Sequence, residues 1–204
     1  MVDFVGAGCG AKDLITLRGL KLIQQADVII YAGSLVNPEL LEYAKPGCEI
    51  HNSAKMTLEE VISVIQKAEA AGKTTVRLHT GDSSIYGAVR EQFDRLEELG
   101  ISYDVCPGVS SFCGAAAAIP AEYTPAEVSQ TLIITRMAGR TPVPEQENLR
   151  VLASHRASMT LFLSVSMLKD VCAELTAGGY PEDTPVAVVY KATWPEQEVV
   201  RGTL

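Results

Sequence analysis

The sequence has few basic residues. Among its 204 residues, 17 are lysine or arginine and 25 are aspartate or glutamate, which gives a net charge of −8. Nucleic acids and anionic membrane surfaces are bound by clustered basic side chains, so this balance argues against both as partners. An acidic small molecule stays possible, because such a ligand needs only a local basic patch.

Long apolar runs are also missing. No run reaches the roughly 18–20 residues that a membrane-spanning helix requires. Residues 1–5 carry no basic segment ahead of their apolar side chains, which is not typical of a signal peptide. We therefore expect a cytoplasmic protein that is not embedded in a membrane.

The sequence shows neither a disulfide framework nor a metal site. Its five cysteines are scattered, odd in number and without a C-x-x-C pair, which indicates reduced thiols. His51, His79 and His155 share no ligand spacing with one another or with cysteine. A serine-nucleophile elbow, a P-loop and the kinase motifs are missing as well, so no motif identifies a catalytic residue.

Strand-like and helix-like segments alternate through the first half of the chain. In chain order, the predicted segments are strand 4–5, helix 16–25, strand 27–31, a helix opening at Asn37, helix 57–70, strand 74–78, helix 86–99 and strand 103–106. Thr57 and Glu60 have the spacing of a capping box at the start of helix 57–70. Alternation at this spacing predicts a mainly parallel sheet covered by helices on both faces. A ligand site would lie beyond the carboxyl ends of its strands.

The second half of the chain is richer in strands. Its predicted segments are helix 111–119, strand 131–135, loop 139–147, strand 160–164, helix 167–177, and strands 185–190 and 198–201. We expect two α/β domains with a boundary near Pro107, one of residues 1–107 and one of residues 108–204.

Four loops that follow predicted strands are rich in small or polar residues. In the first, residues 6–11, glycines allow a tight turn and a close approach to a ligand. A dinucleotide would need a helix directly after this loop and an acidic residue at the end of the second strand, and the sequence has neither. A simple strand-to-helix turn and one wall of a ligand trough both stay open.

The second and third loops place polar side chains directly after strands. Asp82 lies between Gly81 and Gly87, where its carboxylate suits a ribose or amino group and equally suits the N-cap of the next helix. Ser110 and Ser111 precede a helix, where hydroxyls and free N–H groups either cap the helix or hold a carboxylate. Spacing alone does not decide between these interpretations.

The fourth loop carries two arginines, Arg136 and Arg140, beside Pro142 and Pro144. Arginine binds carboxylates through two parallel hydrogen bonds. In a chain with 17 basic residues, this pair suggests a polyanionic ligand. A solvated surface pair is the alternative.

These loops resemble the motifs of one family, the tetrapyrrole methylases. The run VGAGCGAKDLITLRG at 5–19 is similar to the family's opening signature, GDSSIYG at 81–87 to its G-D-P-x-x-Y-G loop, and PGVSS at 107–111 to its P-G-[IV]-[ST]-[SA] loop. The likeness covers essentially the whole chain in the family's order. Cys9 and Ser83 stand where members usually have proline.

Within the family, three further segments look most like the members that methylate ring carbon 11 during cobalamin synthesis. They are YAGSLV at 31–36, EVSQT at 127–131 and TRMAGRTP at 135–142. The implied activity is methyl transfer from S-adenosylmethionine to a corrin precursor. A methylase of another ring carbon and a non-catalytic tetrapyrrole-binding protein are the alternatives.

The resemblance also implies two α/β domains with a cofactor cleft between them, usually in a homodimer, and a small-molecule tetrapyrrole substrate. Members usually continue beyond this point by another helix and strand, so we expect the second domain to be truncated here. Ser110 and Ser111 would reach the cofactor from the second domain. The residues expected at the cofactor are Thr80, Gly81, Asp82, Ile85, Ser110, Ser111, Val165 and Ala192. Those expected at the substrate are Gly8, Cys9, Arg136 and Arg140.

Overall fold

The computed structural model describes residues 1–33 and 35–204, which form two compact units. Unit 1 comprises Met1–Ala115 and Lys191–Gln197, and unit 2 comprises Ala116–Tyr190 and Glu198–Leu204. The division falls after the expected boundary near Pro107, because the start of the following helix packs against loops of unit 1. Ser34, part of the 31–36 motif, lies outside the described residues.

A five-stranded parallel sheet forms the centre of unit 1. Its strands are β1 (Val2–Gly6), β2 (Val28–Tyr31), β3 (Glu49–Asn52), β4 (Thr75–His79) and β5 (Tyr103–Cys106). Their order across the sheet is β3-β2-β4-β1-β5. β1 and β4 are thus neighbours whose chains leave toward opposite edges of the sheet, which opens a crevice at their carboxyl ends.

Helices cover both faces of this sheet. They are α1 (Leu17–Gln25), α2 (Leu58–Ala70), α3 (Arg90–Glu98) and the 3₁₀ helix Pro38–Tyr43, and α4 (Ser111–Ala118) follows β5. Phe4 and Ile30 pack on the α2 and α3 side, whereas Val5 and Ile29 pack on the α1 side. Alternate strand residues are buried on opposite faces, so the strands are apolar along much of their length. The predicted parallel sheet with two covered faces is confirmed.

Two predicted helices of unit 1 differ from the structure. The helix expected at 86–99 begins only at Arg90, because Tyr86 and Ala88 have left-handed backbones with φ of 54° and 49°. The helix expected at Asn37 is a 3₁₀ helix that Asn37 caps. The edge strand β3 is largely exposed, and its sequence therefore shows no apolar alternation that would predict it.

Unit 2 is built from two pairs of strands and two helices. β6 (Leu132–Arg136) and β7 (Ser158–Phe162) are parallel, and β8 (Pro185–Tyr190) and β9 (Glu198–Thr203) are antiparallel. α5 (Leu149–Ala153) and α6 (Leu168–Gly178) pack together around a core of Leu149, Ala153, Val171 and Leu175. β7 begins at Ser158 rather than at 160, and α5 is too short for the sequence periodicity to indicate it.

Across the described chain, every helix is too short or too polar to span a membrane.

Candidate functional site

Three loops of unit 1 meet beyond the ends of β1, β4 and β5. They are residues 6–11, 80–88 and 107–111. Their glycines touch backbone to backbone: a Cβ on Gly6 would lie 2.6 Å from Gly108 Cα, and a Cβ on Gly108 would lie 2.2 Å from the Gly81 carbonyl oxygen. A real side chain does not fit at such distances, so glycine at these positions is what lets the loops converge.

Two backbone hydrogen bonds join the first two loops. The N–H of Gly8 donates to the Gly81 carbonyl at 3.2 Å, and the N–H of Gly81 donates to the Gly8 carbonyl at 2.9 Å. Gly8, predicted at the substrate, and Gly81, predicted at the cofactor, are therefore direct neighbours.

Asp82 ties the second loop to the third. Its Oδ2 accepts a hydrogen bond from the Gly108 N–H at 2.8 Å, and its Oδ1 accepts from the Ser84 N–H at 2.9 Å and from the Ser84 hydroxyl. Partial burial raises the pKa of Asp82, but the hydrogen bonds from Ser84 and Gly108 outweigh it and bring the pKa below its ordinary value. Asp82 is therefore a fixed anion where the loops meet.

The alternative in which Asp82 caps the next helix is wrong. The helix α3 begins at Arg90, and its N-cap residue is Val89, which makes no side-chain cap. The left-handed backbone at Tyr86 and Ala88 interrupts any helix before that point.

Ser110 and Ser111 lie beside the Asp82 loop. Ser110 is buried, Ser111 is half-buried, and a Cβ on Gly81 would lie 3.6 Å from both Ser110 Cα and the Ser111 nitrogen. The two serines belong to the same compact unit as Asp82, and not to a second domain as expected, because β5 leads directly into them from the same sheet.

The segment Lys191–Gln197, which we call the strap, packs on the first loop. Thr193 Oγ1 accepts a hydrogen bond from the Ala11 N–H at 2.9 Å. A Cβ on Gly10 would lie 2.4 Å from Trp194 Cδ1, so the indole ring occupies that space. The sequence patterns miss the strap, and its one signal is that Trp194 is the single tryptophan of the chain.

Cys9 lies between the strap and α4. It is 6% exposed, and its Sγ lies 3.7 Å from Thr193 Oγ1. Gly114 faces it so closely that a Cβ there would lie 2.8 Å from Sγ and 3.5 Å from the Cβ of Ala192, which is also buried. Cys9 thus faces protein rather than solvent, while Ala192 lies close to the first loop.

Three further predicted residues have simpler surroundings. Thr80 and Ile85 are half-buried on either side of Asp82, and the Ile85 N–H donates to the Asp82 carbonyl at 3.2 Å. Val165, in unit 2, is 67% exposed at the start of the 3₁₀ helix Val165–Met167.

The two arginines of unit 2 are used differently. The Arg136 guanidinium donates to the carbonyl groups of Met137, Thr141 and Pro142, at 3.3, 3.1 and 2.8 Å. Arg136 therefore fastens its own loop, and the exposed Arg140 belongs to that loop.

In the part of the chain that the structure describes, no three His, Cys, Asp or Glu side chains are grouped to hold a metal ion.

Comparison with known proteins gives concordant matches. The family Tetrapyrrole (Corrin/Porphyrin) Methylases matches residues 1–204. A cobalt-precorrin-4 C(11)-methyltransferase from Methanocaldococcus jannaschii is 59% identical over 203 residues, which cover 100% of this chain and 78% of that relative. A precorrin-4 C(11)-methyltransferase from Sinorhizobium is 48% identical over 204 residues, which cover 100% of this chain and 80% of the relative.

A solved structure agrees with these relatives. The X-ray structure of a cobalt-precorrin-4 methyltransferase, a cobalamin biosynthetic enzyme, matches with a TM-score of 0.97 and 49% identity, over 99% of this chain and 84% of that chain. Family match, relatives and fold all agree with the motifs at 5–19, 81–87 and 107–111. The chain belongs to the tetrapyrrole methylase family.

Proposed function

We propose that this chain transfers a methyl group from S-adenosylmethionine to carbon 11 of precorrin-4, or of its cobalt form, in cobalamin synthesis. The chain is a C-methyltransferase. The observation that carries the proposal is the convergence of Gly8, Gly81, Asp82 and Ser110 beyond the ends of β1, β4 and β5. This is the edge at which open α/β sheets bind their ligands.

The residues of unit 1 at this junction suit the cofactor. Asp82 offers a fixed carboxylate that can accept hydrogen bonds from ribose hydroxyls or from an amino group. Gly81 has no side chain in the way, and Ser110 and Ser111 add hydroxyl groups. We assign the cofactor contacts of unit 1 to Thr80, Gly81, Asp82, Ile85, Ser110, Ser111 and Ala192. The assignment of Val165 rests on the sequence motif alone.

The chain acts mainly by positioning. When bound, S-adenosylmethionine supplies a methyl group that is already activated by its sulfonium charge. A rigid platform of backbone-bonded loops holds a ligand in one orientation, and correct orientation alone lowers a barrier by several kcal/mol. The sulfonium charge is lost during transfer, so exclusion of water from the reacting groups should also favour the reaction.

For the substrate we propose that Arg140 in unit 2 binds the tetrapyrrole carboxylates. In unit 1 we propose substrate contacts through the backbone of Gly8 and Cys9, because the Cys9 side chain faces protein. Arg136 shares the motif, but three carbonyl groups occupy its guanidinium, so it supports the loop that carries Arg140. We also propose a cytoplasmic homodimer, following the family resemblance, and light scattering of the purified chain tests the dimer.

Incubation with S-adenosylmethionine and either precorrin-4 or cobalt-precorrin-4 tests the reaction. We expect a product that is heavier by one methyl group, and NMR with an isotope-labelled methyl donor should place that group at carbon 11. A methyl group on another ring carbon would replace the proposal by a sister activity. Binding of both ligands without transfer would indicate a carrier, and comparison of the two acceptors decides the role of cobalt.

A further inference from the structure

A chain of buried polar side chains links β4 to the loop at 82–88. Arg77 on β4 and Gln92 on α3 are each 6% exposed. Arg77 Nε donates to Gln92 Oε1 at 2.9 Å, and Gln92 Nε2 donates to the Ala88 carbonyl at 3.1 Å. Arg77 Nη1 also donates to the Ile30 carbonyl on β2 at 3.0 Å. The hydrogen bonds therefore run from the middle of the sheet to the far end of the Asp82 loop.

Arg77 is a costly residue to bury for packing alone. Its buried position lowers its pKa to about 10, and no carboxylate of the described residues forms an ion pair with it. A buried guanidinium without a carboxylate destabilises a fold, and an apolar side chain of similar size would fill the same space at lower cost. An apolar side chain could not make the hydrogen bonds of Arg77 to Gln92 and to the Ile30 carbonyl.

The loop at 82–88, where these hydrogen bonds end, has a strained backbone. Tyr86 and Ala88 are not glycine, yet their φ angles are 54° and 49°. Such conformations persist only where the surroundings enforce them. A Cβ on Gly87 would lie 2.1 Å from the Ser83 carbonyl oxygen, so the turn is folded tightly on itself. Asp82 lies at the other end of this turn, and release of the Ala88 carbonyl would let the turn relax and move Asp82.

We propose that Arg77 and Gln92 are positioning residues that hold residues 82–88 in the shape that presents Asp82 to the cofactor. The inference rests on the proposed function, which places S-adenosylmethionine at this loop. Both residues act through the backbone of the loop, because Gln92 uses its side-chain oxygen for Arg77 and its side-chain nitrogen for Ala88.

The variant Gln92→Glu separates positioning from stability. Glutamate keeps an oxygen for Arg77 but loses the N–H that binds the Ala88 carbonyl. We expect the thermal unfolding midpoint to stay or rise, while affinity for S-adenosylhomocysteine, measured by calorimetry, falls about tenfold, as for the loss of one supporting hydrogen bond. Amide hydrogen exchange should accelerate in residues 82–88 and stay unchanged in β4.

Arg77→Met tests the other end of the chain of hydrogen bonds. Methionine fills the space without a charge and leaves Gln92 without its partner, so affinity should again fall about tenfold. In the double variant the two losses should not add, because both act through Ala88. The matched control is Glu98→Gln, an exposed substitution at the far end of α3, which should change neither affinity nor exchange.

If Gln92→Glu binds S-adenosylhomocysteine as tightly as the parental chain and its 82–88 amides exchange at the parental rate, the inference is overturned and the proposed function stands. A parental chain that does not bind S-adenosylhomocysteine at all would instead defeat the proposed function, and this inference with it.

Discussion

Single residues decide how closely the loops of the site approach one another. Gly6 and Gly108 leave no room for side chains, and Asp82 then fastens the junction through the Gly108 N–H. The same carboxylate that orders the loops is the one we assign to the cofactor. Substitutions here should therefore affect ligand binding and stability together, and matched controls are needed to separate the two.

Gly108→Ala should destabilise the fold. The new Cβ would lie 2.2 Å from the Gly81 carbonyl oxygen, which is backbone and cannot rotate away. Overpacking of this kind typically costs about 1–3 kcal/mol of unfolding free energy, measurable by urea denaturation. Gly202→Ala is the control, because nothing lies within 4 Å of a Cβ at that position. Equal stability of the two variants would contradict the close approach of the loops.

Asp82→Ala should weaken the binding of S-adenosylhomocysteine. Hydrogen bonds to charged groups typically contribute about 1.5–3 kcal/mol, so we expect the dissociation constant to rise roughly tenfold to a hundredfold. Calorimetry measures this directly, with Asp170→Ala, an exposed carboxylate on α6, as the control. Unaltered affinity would reject the contact that we assign to Asp82.

His79 should make stability depend on pH. It is 4% exposed, and its Nε2 has no hydrogen-bond partner among the residues that the structure describes. Burial together with the charge of Arg77 lowers its pKa from 6.5 to about 3. In the unfolded chain His79 is protonated below pH 6.5, whereas in the native chain it stays neutral down to about pH 3. Its contribution to stability is therefore complete above pH 6.5 and is lost as the pH falls through this window.

The variant His79→Phe measures that contribution. Between pH 6.5 and 5, the parental unfolding free energy should fall faster than that of the variant, by up to about 1.4 kcal/mol per pH unit. Urea denaturation at several pH values gives both slopes. His155→Gln, an exposed histidine, serves as the control. Parallel slopes for the parental chain and His79→Phe would show that His79 titrates normally.

Elements of secondary structure differ in how locally they are determined. The capping box of Thr57 and Glu60 at the start of α2 is present as the sequence pattern predicts, because all its hydrogen bonds lie within four residues. The start of α3 differs from the prediction, since the strained turn at 86–88 is enforced by contacts with Ser83 and Gln92. The strap has no periodicity, so only its packing on the first loop reveals it.

Thr193→Val should loosen the strap. The substitution removes the acceptor of the Ala11 N–H, and an unsatisfied, partly buried donor typically costs about 1–3 kcal/mol. Trp194, the single tryptophan, reports the change by fluorescence, and its emission should move to longer wavelength as the ring meets water. Thr203→Val on the exposed strand β9 is the control. An unchanged spectrum and an unchanged unfolding midpoint would show that the strap does not depend on this bond.

At the scale of the whole molecule, the charge of −8 and the proposed substrate oppose each other. A tetrapyrrole with many carboxylates is repelled by the mean field of the protein, so it needs a local cation. We propose that the exposed Arg140, on the loop that Arg136 fastens, supplies this cation in unit 2. The net negative charge disfavours anionic partners in general, and a local cation is what allows one anionic ligand to bind.

Ligand binding should stabilise the whole chain selectively. S-adenosylhomocysteine at 100 times its dissociation constant should add about 2.7 kcal/mol to the unfolding free energy, which raises the melting temperature by several degrees. NAD at the same concentration should leave it unchanged, because α1 begins only at Leu17 rather than directly after the first loop, and β2 ends at Tyr31 without the acidic residue that a dinucleotide ribose needs. A shift by NAD alone would point to a nucleotide-binding protein of another kind.

The sequence by itself determined the features that depend on neighbours along the chain. Alternating apolar segments predicted the parallel sheet, and Thr57 and Glu60 predicted the start of α2. The motifs around Gly81 and Ser110 predicted the family, because the order of motifs along a chain can be compared without knowing the fold.

Only the tertiary structure decided which distant groups meet. Thr193 binds Ala11 across 182 positions, Asp82 binds Gly108 across 26, and Arg77 binds Gln92 inside the protein. These contacts depend on the strand order β3-β2-β4-β1-β5, which local periodicity does not encode. The energy of packing the two sheet faces selects that order, and it thereby brings together three loops that are separate in the sequence.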